Sequence, residues 1–166
     1  QKLLGLIKKK ALMIKINIIS NNKVWYRYIK NPTNFIQKKV DNLNKKFTKY
    51  KKKNIFCTIL LSGENEIKKL NKKFRKKNKT TDVLSFPFYE KNKLKNKLKN
   101  KKEIYLGDII INLNKIKNKK NKKKFKLEFN KLWIHGLVHL FGHDHKKIKE
   151  FNHMQKIEKK FLFYIN

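Results

Sequence analysis

The sequence predicts an α+β protein: a single domain in which a roughly four-stranded sheet is covered by about five helices. Three observations carry that expectation. Four short runs have strand character, the segments between them repeat apolar residues near the 3.6-residue helical period, and 166 residues suffice for a single core. Apolar residues make up 39% of the chain, which is enough to build that core in spite of a formal charge of 46 − 11 = +35. Residues 13–166 are assigned to the domain and residues 1–12 to an N-terminal extension.

In chain order, the first strand is expected over residues 13–19, where Ile14, Ile16 and Ile18 alternate with Lys15 and Asn17. From Pro32, the residues Phe35, Ile36, Val40, Leu43 and Phe47 recur on one helical face, and Pro suits a helix start. Residues 54–61 read as a buried strand. Ser62 is the expected cap of a helix whose face carries Ile67, Leu70 and Phe74 and which ends near Arg75. Residues 82–88 (DVLSFPF) and 103–113 (EIYLGDIIINL) are the remaining strands. Between them, KNKLKNKLKNKK over residues 91–102 has few apolar residues and is expected to be a solvated hairpin loop. Residues 114–124 are polar and leave helix and loop open. Residues 125–141 and 148–163 are the last two helices.

All but two of the 46 basic residues are Lys, the exceptions being Arg27 and Arg75. Lys, Asn and Ile are what AT-rich codons encode, so the charge reads either as genome composition or as selection for a polyanion. Whatever its origin, the field attracts polyanions and weakens with salt, which favours nucleic acid as partner. Arg presents a planar fork to phosphate where Lys presents a point charge, so Arg75 stands out. The longest run without a charged residue, 132–143, is well short of the roughly 18 residues of a membrane span. The single Cys57 excludes an intrachain disulfide and a Cys-rich zinc site. A cytoplasmic protein with no membrane role is expected.

Four of the five His residues fall within IHGLVHLFGHDH, residues 134–145. On a helix, His135 and His139 project from one face with Cβ atoms roughly 6 Å apart, close enough to share a metal ion. Gly142 is the expected left-handed terminator that returns His145 toward the same ion. His143 offers an alternative third ligand, and spacing does not decide between the two. Three imidazoles leave one zinc position open, which is a catalytic arrangement. Asp144 reads either as a carboxylate orienting an imidazole or as a turn residue. His153 reads as an exposed helical residue.

These residues resemble the YbeY-type endoribonucleases of ribosomal RNA maturation. The family signature H-G-x-x-H-L-x-G-Y-D-H is met by His135, Gly136, His139, Leu140, Gly142, Asp144 and His145, with His143 in place of Tyr. Upstream, Phe74 and Arg75 followed by Thr81 to Pro87 are similar to a second signature, and Leu106, Gly107, Asp108 and Ile109 to a third. Met154 and Glu158 match a Met and a Glu on the family's final helix, while Lys146, Lys147 and Lys149 replace acidic residues common after the last His. The resemblance implies one zinc ion per chain held by His135, His139 and His145, and Arg75 facing it as the cation that binds substrate phosphate. Arg75 and His139 are thereby the expected catalytic residues. It also implies single-stranded RNA as substrate, a role in 16S ribosomal RNA 3′-end maturation and ribosome quality control, and small-subunit proteins as further partners.

The implied chemistry is phosphodiester hydrolysis with Arg75 stabilising charge on phosphate. Two other classes are weighed against it. A zinc peptidase of the H-E-x-x-H type requires a Glu where this chain has Gly136. A non-catalytic ribosome-assembly factor would hold zinc structurally and bind RNA through charge, without cutting it.

Overall fold

The alternating apolar runs form the four expected strands, β1 (Ile14–Ser20), β2 (Asn54–Ser62), β3 (Val83–Pro87) and β4 (Glu103–Asn112). They lie in the order β1-β2-β4-β3. The structure, a computed structural model, describes residues 13–166, so the extension assigned to residues 1–12 lies outside the described residues. β1, β2 and β4 are parallel, and β3 runs antiparallel to β4. Five α-helices join them: α1 (Pro32–Lys46), α2 (Glu64–Arg75), α3 (Lys91–Asn100), α4 (Lys122–Leu140) and α5 (Ile148–Ile165).

The core lies between the sheet and the helices that carry the longest apolar stripes. Ile55, Ile59, Leu61, Ile109 and Ile111 from the strands are fully buried, as are Phe129, Trp133, Leu137 and Val138 from α4. A short 3-10 turn, Lys23–Arg27, inserts Trp25 into this core against Phe125 and Phe129. The turn was not foreseen, because five residues are too few to show a period. β4 places two residues, Leu106 and Gly107, opposite Cys57, which produces a bulge. Gly107 takes φ +132°, and a Cβ there would lie 2.1 Å from the Phe86 carbonyl oxygen, so this crossing of β3 and β4 requires glycine.

Two expectations are corrected. Residues 91–102 are not a solvated loop, because 91–100 form α3. Its two leucines, Leu94 and Leu98, are four apart and therefore share one face, and both are buried in the main core. Two apolar residues per twelve were too few to reveal a core helix by composition, but their spacing seats it. Leu94→Ala is expected to cost about 2–4 kcal/mol in denaturant unfolding. A change near zero would return the segment to the solvated loop. The second correction concerns Ser62. β2 runs through Ser62, paired with Asn112, and its hydroxyl donates to Glu66, so the α2 cap is Gly63. Glu64 and Glu66 in the first turn of α2 complement the positive end of the helix dipole.

The open segment 114–124 starts inside a 3-10 turn (Leu113–Lys115) and runs into the first turn of α4, which Asn121 caps by accepting from the Lys124 amide. Among the described residues, no helix is long and apolar enough to cross a membrane.

Candidate metal centre and active site

The site is built at the C-terminal end of α4. Helical spacing puts His135 and His139 on one face, and the chain then turns back at Gly142, which takes φ +86° as the sequence led us to expect. The turn is closed on the site itself: His139 Nδ1 donates to the His143 carbonyl over 2.9 Å. It returns His145 to the pair, and one ring nitrogen from each of His135, His139 and His145 lies within 4.8 Å of the others. His143 is not in that cluster, because its ring turns toward His153 on α5, with centroids 5.4 Å apart. Burial, together with nearby His153, Lys49 and Lys91, lowers the pKa of His143.

The donor set fits a cation. His135 Nδ1 donates to Glu158 Oε1 over 2.7 Å, and His139 Nδ1 donates to a carbonyl, so both Nδ1 atoms carry a proton. The two Nε2 atoms, left on the inner side of the cluster, face each other at 3.1 Å. A tetrahedral metal with Zn–N bonds of 2.0–2.1 Å separates two ligand nitrogens by about 3.3 Å, which this pair already matches. Burial first, then the neighbouring His135, lowers the His139 pKa to about 4, so His139 stays neutral and free to bind a cation at ordinary pH. The three rings can hold a metal ion.

Asp144 takes the turn role of its two readings. Burial raises its pKa, but hydrogen bonds from the His145 amide and Lys146 outweigh that and hold the carboxyl below its ordinary value. The carboxylate that does orient an imidazole is Glu158, from α5, 23 residues along the chain from His135. Only the family resemblance marked Glu158, and nothing in its local sequence gave it a role. Glu158→Gln is expected to weaken metal binding by about 10–100-fold with little change in melting temperature, as a chelator competition would read. Unchanged affinity would remove the orienting role.

Gly136 explains the missing glutamate beside the first His. A Cβ at this position would lie 2.6 Å from Ile109 Cγ2, because α4 rests directly on β4 there. A glutamate side chain has no room.

Arg75 closes α2, and the left-handed Lys76 follows it. The loop beyond is tied back by buried Asn71, whose amide donates to the Lys79 carbonyl over 2.7 Å. The Arg75 guanidinium donates to the Ser85 carbonyl at 3.1 Å and sits 6.0 Å from the Phe86 ring centre. It lines one open cavity, of about 850 Å³, together with His139, His143 and His145. Lys77, Lys91 and Lys146 add positive charge to its walls. The structure thus brings Arg75, His139 and His145 to one basic cleft, while His135 and Glu158 line a second cavity.

Fold and site together define a class: an α+β protein with a three-imidazole cation site opening into a cleft suited to phosphate. The profile of the family described as Endoribonuclease YbeY matches residues 17–166. A relative named Endoribonuclease YbeY from Pelagibacter ubique is 45% identical over 148 residues, covering 88% of this chain and 92% of that protein. A relative of the same name from Buchnera aphidicola is 41% identical over 119 residues, covering 70% and 72%. The solution structure of a Thermotoga maritima protein superposes with a TM-score of 0.56 at 27% identity, over 91% of this chain and 89% of the other. The chain belongs to the YbeY endoribonuclease family.

Proposed function

We propose that this chain is a zinc-dependent endoribonuclease that cuts single-stranded RNA in the cytoplasm, in maturation of the 3′ end of 16S ribosomal RNA and in ribosome quality control. The observation that carries the reading is the cluster of His135, His139 and His145, two of which, His139 and His145, line the cleft that also holds Arg75. His135, His139 and His145 are the residues that would hold one zinc ion. When bound, zinc supplies a Lewis acid for a phosphoryl oxygen or lowers the pKa of a water. Small-subunit ribosomal proteins are the further partners this reading expects.

The chain's own residues supply the rest. Arg75 offers parallel donors to two phosphate oxygens, and the Ser85 carbonyl fixes the direction of its fork. Glu158 and the His143 carbonyl hold two imidazoles in the required tautomer. The +35 charge concentrates RNA around the molecule. The steric bar at Gly136 counts against a peptidase with a Glu base. Incubation with a 16S precursor should give internal cuts near the mature 3′ end, and the product ends identify the nucleophile. A 2′,3′-cyclic phosphate means attack by the RNA 2′-OH, and a 5′-phosphate means attack by water. Cuts confined to duplex regions would overturn the substrate reading.

A further inference from the structure

Phe88 exposes an apolar ring where the core makes no demand for one. It is 64% exposed, and it lines the same cavity as Arg75, His139 and His145. A solitary exposed apolar residue is ordinary. This one is held in the cavity wall by a backbone hydrogen bond. Its amide donates to the Leu106 carbonyl over 2.8 Å, at the β4 bulge, and a Cβ on Gly107 would come within 2.9 Å of that same amide nitrogen. The ring leans on Tyr89 and Tyr105, with centroids 4.9 and 5.8 Å away and planes at 85° and 75°. An open, backbone-anchored aromatic ring therefore shares a basic cleft with a guanidinium.

The geometry points to Phe88 as a nucleobase subsite, on which an unpaired base beside the reacting phosphate stacks while Arg75 holds the phosphate. This rests on the endoribonuclease reading above. Proteins that bind single strands combine a cationic groove with aromatic rings, and stacking tolerates any base because every base has a π-face. A base in a duplex already has neighbours on both faces and gains nothing from the ring. Phe88 thus supplies strand preference without sequence preference, which the long-range charge cannot do because it attracts single and double strands alike.

The test compares Phe88→Ala, Phe88→Leu and Phe88→Tyr with the wild-type protein on one oligoribonucleotide, single-stranded and annealed to its complement. Affinity is read by fluorescence anisotropy and cleavage by steady-state kinetics. Phe88→Ala and Phe88→Leu should raise the single-strand Kd and KM about tenfold, with a smaller change in kcat, and leave duplex affinity unaltered. Phe88→Tyr should restore the single-strand values, whereas Leu should not, because Leu supplies apolar area without a π-face. An unchanged single-strand Kd in Phe88→Ala, or an equal loss for both strands, overturns the subsite while leaving the nuclease reading in place. Wild-type protein that neither binds nor cuts single-stranded RNA overturns both.

Discussion

Replacement of His139 by alanine is expected to empty the metal centre and abolish RNA cleavage. Both ring nitrogens of His139 are committed, Nδ1 to the His143 carbonyl and Nε2 toward His135. Burial keeps it neutral, its pKa lowered to about 4, so at ordinary pH its own ring holds no second proton against a metal. Removing it leaves two ring donors, and the loss of affinity should exceed the roughly 10–100-fold that losing an orienting partner costs. Metal content per chain, measured on dialysed protein, reads the effect. The matched control is His143→Tyr, which should retain the metal because the His143 ring faces His153 and only its backbone carbonyl serves the site. A His139→Ala protein with unchanged metal would refute the centre as described. Loss of metal in His143→Tyr would mean that the third ring is His143.

Arg75→Lys is expected to lower the cleavage rate at saturating RNA by on the order of 100-fold, with RNA affinity nearly unchanged. Net charge is preserved, so the long-range attraction set by +35 is preserved with it. What is lost is the planar fork: Lys cannot present two parallel donors to phosphate while also donating to the Ser85 carbonyl as Arg75 does. Single-turnover cleavage separates the two effects. Wild-type rates in the variant would return Arg75 to the status of one cation among many.

Much of this was legible in the sequence, for identifiable physical reasons. β1 and β4 announce themselves through runs of Ile, and α1 through the period that puts Ile36, Val40 and Leu43 in the core. The i, i+4 spacing of His135 and His139 is a helical property and needed no tertiary information. The choice between His143 and His145 did, because it depends on how far the chain turns after Gly142 and on which ring the turn leaves facing inward. Glu158 lies on another helix, and the contact it makes with His135 exists only after α4 and α5 pack. The same holds for α3: Leu94 and Leu98 mean little until a core is present to receive them, and there Leu94 comes within 3.5 Å of where a Gly142 Cβ would stand. Ser62 was misassigned because a strand end and a helix cap share a preference for small polar residues.

The three-histidine centre and its basic cleft are expected to cut RNA in a metal-dependent way. Cleavage of a single-stranded oligoribonucleotide should be followed with protein as purified, after chelation, and after zinc is restored, with zinc per chain measured in each sample. The expected result is about one zinc per chain, internal cuts that vanish with the metal, and recovery of both when zinc returns. Protein that holds one zinc per chain and binds the RNA tightly, yet leaves it uncut, would contradict it and assign the metal to the structure of a non-catalytic ribosome-assembly factor.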